Sequence, residues 1–565
     1  MLPTRKSDLY ISLSFGALIF LIGVFVSPRG FNQGFVDIGH DSYVLKVASD
    51  LNGGATLFAQ TFTQYGILGD QLNALVLKIS NRLLFLKYFY SLIYGVAIAT
   101  FYLVVREKSG RSASCVVTLF VILSAPFYRH GMMLSVHAPI LLLQIIVAAI
   151  LYRIHQKSSP KLVVLLGAMM ALIFLFKQNV GSYQYLLIFP LLALITYRGD
   201  ENESLFRKIA PTFCYFVAST TAILVPVFVI LQSQGSLHDW LVQTVLFPRE
   251  FYSSYFSNEL ARGSITIQAL NNYPLVPKNL PSVLIQIIDT AIIHPYWVLL
   301  RVCLVILALK LFSNQSTRRD GLIMIFFLIS GTLTLWPSAN FMHQWWTLVP
   351  VLTYLPFSLR VSANHKLHNE STNKKVNQLR FKSIIHPSIV PTLGSVVAFA
   401  ALAVLVFGDR QNILTNNLFS FIINQKRNCV EIIEPAPLSG ICTDPKLASD
   451  LQRVSEQLML ALSNSQKINK LARAVSINED DGIDETLISL LPIAALSNNA
   501  STQPVFWRLP VLTKFYPDAL KINQKNNDVL IELVKGEDSP PSGYETVFEL
   551  EYEDDVVWRI YAVKK

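Results

Sequence analysis

The chain has 565 residues, of which 52% are hydrophobic and only 15% charged, and its mean hydropathy is +0.43. Charge this scarce cannot cover the surface of a soluble globule, which excludes that class. The net charge of +10 would suggest a nucleic-acid partner in a soluble protein, but the Lys and Arg residues lie in short connections between apolar runs, where the preference of cytoplasmic loops for basic residues explains them.

The first apolar run, Leu9 to Val26, follows Arg5 and Lys6 and is not followed by a clean small-residue cleavage site, so it is expected to be an uncleaved anchor with the N-terminus in the cytoplasm. Further runs of about the length needed to cross ~30 Å of hydrocarbon occur near 87–105, 113–127, 136–152, 161–176, 182–197, 209–231, 294–312, 321–336, 345–359 and 385–408. The expected fold class is thus mostly α, a polytopic membrane protein of about eleven transmembrane helices. Charge tests that count independently of hydropathy. The expected inner connections carry Arg106, Lys108 and Arg111; Arg153, Lys157 and Lys161; Arg198, Arg207 and Lys208; Lys310, Arg318 and Arg319; and a basic loop over 360–384. The short outer connections hold little more than Arg129 and Lys177.

Residues 1–408 are therefore expected to form the membrane domain, with a first outer loop over 28–86 and a long outer loop over 232–291, large enough to serve as a lid or acceptor surface. An odd number of spans places 409–565 outside the cytoplasm. This tail is polar, with strand-like runs from Val529 to Val534 and Val556 to Val563 and a helical pattern from Ala448 to Leu471, and it is expected to be a small mixed α/β domain. Cys115, Cys214 and Cys303 fall in spans, where buried apolar thiols are ordinary. Cys429 and Cys442 flank a Pro-containing stretch of the tail, and an oxidising compartment would allow them to form a disulfide.

The polar groups cluster on the expected outer face. Within the first outer loop, Asp37, His40 and Asp41 fall within five residues, followed by a helical pattern (Val44, Val47, Ala48, Leu51), then Gly53-Gly54, then Phe58, Phe62 and Tyr65-Gly66-Ile67-Leu68. Two further clusters are Lys177-Gln178-Asn179-Val180-Gly181 and the stretch from Trp336-Pro337 through Asn340 to His343-Gln344. This order resembles that of the GT-C superfamily of membrane glycosyltransferases, in particular bacterial family-39-like mannosyltransferases that use polyprenyl-phosphate sugars. An acid or acidic pair, a helix ending at glycine, a "YGPL"-like element, a "K-x-N-x-G" turn and a "P-x-x-D-x-x-H" turn follow one another there. Three positions depart from it: His40 stands where many relatives have the first acid, Ile67 replaces Pro, and Asn340 stands in place of Asp. The resemblance covers about residues 1–360.

What the resemblance implies is an inverting enzyme at the outer face of the plasma (inner) membrane, moving a sugar from a polyprenyl phosphate to a glycan, lipid or protein acceptor of the envelope. A carboxylate must reach the acceptor hydroxyl, and a cation must neutralise the phosphate leaving group. Asp41 and then Asp37 are the candidate bases; the bland alternative is that they merely solvate the loop. Lys177, His343, Arg301 and His40 are the candidates for binding donor phosphate or sugar. Against these stand an interfacial anchor for Lys177, a structural ion pair for Arg301 inside its span, and local hydrogen bonding for His40. Asp37, His40 and Asp41 could also contribute to a divalent-metal shell. The rival class is a transporter or a noncatalytic protein for lipid-linked saccharides; it should show related halves around a midplane site, and the sequence has no clear internal repeat.

Overall fold

In a computed structural model the described residues are 6–26, 38–123, 136–157, 159–196, 205–249, 304–309, 311–313, 317–334 and 345–357, and in the tail 430–434, 436–443, 445–464, 471–472, 529–535, 539–540, 542–553 and 556–564. Helices α1 (Lys6–Val26), α4 (Leu83–Lys108), α6 (His137–Gln156), α8 (Gln178–Thr196) and most of α9 (Leu205–Ser233) are the five, among these residues, long and apolar enough to cross a membrane. Between them lie α2 (Ile38–Asn52), α3 (Ile67–Ile79), α5 (Arg111–Leu123) and α7 (Pro160–Phe176). Beyond them come α10 (Leu237–Leu241), a π-helical turn over Val242–Leu246, α11 (Arg318–Leu333) and α12 (Trp345–Leu352). The span expected over 385–408 lies outside the described residues.

The bundle has two polar ends. Asp8, at the start of α1, pairs with Arg111 (2.9 Å) and Arg106 (3.3 Å), so α1 runs antiparallel to α4. Arg153 near the end of α6 reaches Glu107 at 3.0 Å, and His155 lies 3.9 Å from Asp320 at the start of α11. Lys108 completes this basic end, with its ammonium 3.1 Å from the centre of the Tyr354 ring. Between the ends the helices bury apolar side chains on their facing sides, with Gln144 of α6 and Gln184 of α8 exchanging two amide hydrogen bonds of 3.0 and 2.8 Å. The opposite end, where α4 begins and α7 finishes, carries α2 and α3 and is called the loop end below.

In the tail, β1 (Val430–Glu431) pairs antiparallel with β2 (Cys442–Thr443), and helix α13 (Pro445–Ser463) follows. β3 (Leu471–Ala472), β4 (Val529–Lys535), β5 (Tyr544–Glu553) and β6 (Val556–Val563) form a sheet in the order β3-β4-β6-β5. The helix ends at Ser463, eight residues before the Leu471 expected from periodicity: Asn464 closes the last turn onto the Leu460 carbonyl, and Leu471 enters a strand beside Val529. α13 faces two ways along its length. Leu447 and Leu451 join the core of the bundle together with Ile432, Leu438 and Ile441, whereas Val454 and Leu458 pack on Val529, Ile531, Trp558 and Ile560 of the sheet. The β1–β2 hairpin sits at the loop end, where Gly440 comes against Leu84 of α4. Cys442 is disulfide-bonded, and its expected partner Cys429 lies outside the described residues; Cys115 and Cys214 are free.

Candidate functional site

α2 carries the apolar periodicity expected of it, with Asp41 in its first turn, where a carboxylate suits the positive end of the helix. It ends where the Gly53 and Ala55 amides bond back to the Ser49 and Asp50 carbonyls, both at 2.9 Å. Far from lying on a wet surface, the helix is buried from Tyr43 to Asp50. Its charges are matched within that burial: Lys46 pairs with Asp50 one turn on, and Asp41 accepts a hydrogen bond of 2.8 Å from Lys87 in the first turns of α4. Burial raises the Asp50 carboxyl to about 6, and the Lys46 ammonium opposes that rise.

The segment from Phe58 to Gly66 is clasped from two sides. Gln243 of the π-helical turn accepts from the Thr63 amide at 3.0 Å and donates to the Phe58 carbonyl at 2.8 Å. Gln178, the first residue of α8, donates to the carbonyls of Gln64 (3.1 Å) and Thr244 (2.9 Å). Gly66 then donates to the Phe176 carbonyl at 3.2 Å, so close that a Cβ on Gly66 would stand 2.1 Å from the Leu175 oxygen. The tyrosine-glycine element of the first loop is thus seated on the end of α7.

Lys177 is the single residue between α7 and α8, outside both spans. The sequence suggested an open turn over Lys177 to Gly181. Instead α8 begins at once, because Gly181 has no side chain and lets the new helix fold back against Phe174, whose Cα would lie 2.5 Å from a Cβ there. Lys177 is only 8% exposed. Its ammonium lies over two aromatic faces, 4.5 Å from the Trp346 ring centre and 5.9 Å from that of Tyr65. His137 stacks on Trp346 with ring centres 4.4 Å apart, and Val136 and Ile140 close the floor. No carboxylate pairs with Lys177 among the described residues, and burial lowers its ammonium to about 7.

A third group lies between α2, α3 and α4. The Asp70 carboxyl is buried near the Thr63 side chain, and its Oδ2 has no hydrogen-bond partner. Burial raises it to about 7. Burial, and after it the nearby Asp70 charge, disfavours ionisation of the Tyr43 phenol, and Tyr90 donates to Asn73 at 2.6 Å. Tyr43 in turn meets Tyr65 at 6.2 Å between ring centres.

Of the residues singled out from sequence, Asp41 and Lys177 therefore sit at the same end of the bundle, and the Tyr43 ring of α2 meets the Tyr65 wall beside Lys177. His40 lies within α2, but its side chain, like Asp37, Arg301, His343 and Cys429, falls outside the described residues. Sequence alone did not place Lys87 beside Asp41, or His137 and Trp346 beside Lys177. In the sequence Lys87 stands at the first position of an apolar run, and a lysine at a span end beside an acid-bearing loop is the available signal. Among the described residues no group of three or more His, Cys, Asp or Glu side chains could hold a metal ion, and the Asp41 carboxylate is engaged by an ammonium.

No protein-family model matches the chain, and no curated protein matches its sequence. Solved structures do resemble it. The oligosaccharyltransferase of Archaeoglobus fulgidus in its apo form matches with a TM-score of 0.50 at 11% identity, over 93% of this chain and 70% of that one. ArnT from Cupriavidus metallidurans bound to undecaprenyl phosphate matches with a TM-score of 0.48 at 12% identity, over 97% of each chain. At such identities the likeness is one of fold: the chain shares the fold of the Archaeoglobus oligosaccharyltransferase.

Proposed function

We propose, from a GT-C fold with a buried acid–lysine pair and a caged lysine at one end of the bundle, that this chain is an inverting glycosyltransferase. It would move a sugar from a polyprenyl-phosphate donor to a glycan, lipid or protein acceptor of the envelope. The observation that carries this reading is the juxtaposition of an anion-bearing first loop with a buried cation, Lys177, that has no carboxylate partner among the described residues.

The chemistry divides between those groups. Asp41 accepts the proton of the acceptor hydroxyl as its oxygen attacks the anomeric carbon from the face opposite the phosphate. The carbon–oxygen bond to the phosphate breaks, and the bonding pair leaves on polyprenyl phosphate. Lys177 meets the negative charge that develops there, in a site where aromatic walls exclude water and strengthen the attraction. Lys87 holds the Asp41 carboxylate in place until the acceptor arrives. Asp37 is the alternative base, and His343, Arg301 and His40 remain proposed contacts for the donor.

The loop end is assigned to the outer face of the plasma membrane because the opposite end carries Arg106, Lys108, Arg111 and Arg153. The tail would lie outside with it, where Cys429 is the proposed partner of Cys442. Isolated membranes containing the protein, supplied with radiolabelled polyprenyl-phosphate sugars, should move label from the lipid to a new product, and an Asp41→Asn protein should not. Label that crosses the membrane while still on its lipid, with no product in either case, would instead support a transporter.

A further inference from the structure

Phe58 is buried, yet its φ of 67° lies in the left-handed region, where a bulky side chain is rarely found. A backbone in that region persists only where its surroundings fix it. The Phe58 amide donates to Thr61 Oγ1 at 3.2 Å, and its carbonyl accepts from Gln243 Nε2 at 2.8 Å. Gln243 Oε1 in turn accepts from the Thr63 amide at 3.0 Å, so both ends of one carboxamide grip the chain. Gln243 is only 1% exposed. Its place is set by the π-helical turn over Val242–Leu246, a wide turn of a kind frequent at functional sites.

The grip extends to the caged lysine. Thr63 Oγ1 accepts from the Tyr65 amide at 3.1 Å, and Gly66 is bonded to the end of α7. Gln178, the neighbour of Lys177, donates one amide hydrogen to the Gln64 carbonyl and the other to the carbonyl of Thr244, the neighbour of Gln243. With both hydrogens donated, the orientation of the Gln178 amide is fixed. The first loop, the π-helical turn and the start of α8 are thus joined in a closed ring of hydrogen bonds. The Tyr65 ring, carried on that ring of bonds, is one wall of the Lys177 cage.

We propose that Gln243 is a positioning residue that holds the strained stretch from Phe58 to Thr63, and through it the Tyr65 wall, over the Lys177 ammonium. An apolar side chain in its place leaves the buried Phe58 carbonyl and Thr63 amide without their partner, which is costly enough to move them. Phe58 then relaxes to negative φ, the residues after it shift, and Tyr65 swings off the cage. Water reaches Lys177. The consequence for donor binding rests on the phosphate reading of Lys177, whereas the holding of the cage does not.

The experiment uses the full-length protein in lipid nanodiscs, a short pulse of acetic anhydride, and mass spectrometry to read acetylation of Lys177, Lys46 and Lys87 in one sample. All three are buried in wild type and should label slowly. Gln243→Met should speed labelling of Lys177 about tenfold while Lys46 and Lys87 stay slow, since only the cage opens. If Gln243→Met loosens all three lysines, Gln243→Asn decides, because it keeps the amide but is one methylene too short to grip both groups. Lys177 labelling at the wild-type rate in Gln243→Met, or a rise shared by all three lysines in both variants, would overturn the proposal. A titration with undecaprenyl phosphate separates the two readings. Gln243→Met should weaken binding about tenfold in the presence of Lys177 and add nothing to Lys177→Met, the coupling expected of residues that act through one another. If Lys177 labelling rises selectively but this lipid fails to bind in a Lys177-dependent way, the donor reading falls and the positioning role stands. If the lipid binds through Lys177 while labelling is unmoved by Gln243→Met, only the role of Gln243 falls.

Discussion

Lys87 Nζ lies 2.8 Å from Asp41 Oδ2, and neither side chain is more than 4% exposed. Forty-six residues of chain separate the two, so the pair ties the first outer loop to the start of a membrane-spanning helix as well as orienting a carboxylate. Removing one partner of a buried ion pair leaves an uncompensated charge, at a cost of about 3–5 kcal/mol. Asp41→Asn is therefore expected to lose both stability and, by about 10²–10⁴-fold, turnover. The double variant Asp41→Asn with Lys87→Met removes both charges and should recover most of the stability but none of the turnover. Thermal unfolding in detergent and sugar transfer, measured on the same samples, separate these effects; recovery of turnover in the double variant would remove Asp41 from the chemistry.

Lys177→Met keeps an unbranched stem between Trp346 and Tyr65 and deletes only the charge, so the fold should persist. Affinity for undecaprenyl phosphate should fall about 10–100-fold, the worth of a charge-assisted contact in a dry site. Because burial brings the free ammonium down to about 7, a bound phosphate must restore its proton at higher pH. The advantage of wild type over Lys177→Met should then be greatest below about pH 7 and shrink by up to tenfold per pH unit above it. Calorimetric titration of both proteins at several pH values checks this, and an advantage independent of pH would detach Lys177 from the phosphate.

The spans from Leu9, Lys87 and Val136 onward were legible because apolar runs of membrane length leave few alternatives, and the helical pattern of Val44, Val47, Ala48 and Leu51 likewise formed α2. The burial of that helix was not legible. Asp41 reads in the sequence as an acid that could merely solvate its loop, and only the fold shows that Lys87 of α4 pairs with it and that Lys46 and Asp50 pair one turn apart within the same burial. Asp70 was missed for a related reason: its neighbours Tyr43, Thr63 and Tyr90 lie on three different segments, and proximity in space leaves no spacing in sequence. Trp346 and His137 stand at the starts of two separate helices, and their stacking depends on how α6 and α12 cross.

Gly66→Ala tests the seating of the loop on α7. The added Cβ would stand 2.1 Å from the Leu175 oxygen and 2.6 Å from the Phe176 oxygen, and both are backbone atoms that cannot rotate away. The turn must move, with loss of the 3.2 Å bond from Gly66 to Phe176. Overpacking of this kind typically costs about 1–3 kcal/mol. The expected result is a lowered melting temperature together with weaker undecaprenyl phosphate binding, since Tyr65 moves with Gly66. A protein that melts lower yet binds the lipid normally would show that the Tyr65 wall is dispensable.

The last prediction concerns the side of the membrane on which the tail lies. Leu438 and Ile441 are fully buried in the same core as the membrane helices, and the hairpin bearing them meets α4 at Leu84, one residue from its start. That contact ties the tail to the end of α4 opposite Arg106 and Lys108. If the basic end is cytoplasmic, as we propose from the distribution of Lys and Arg, the tail is expected to be extracytoplasmic, where the disulfide at Cys442 would persist. Reporter fusions at Ser371, in the basic loop, and at Asn499, in the tail, should therefore report opposite sides. Leu438→Asp would place a charge in the hairpin's buried contact and should release the tail to added protease while leaving the membrane domain intact. Fusions that report one side for both sites would break the link between tail and loop end, and with it the assignment of Asp41 and Lys177 to the outer face.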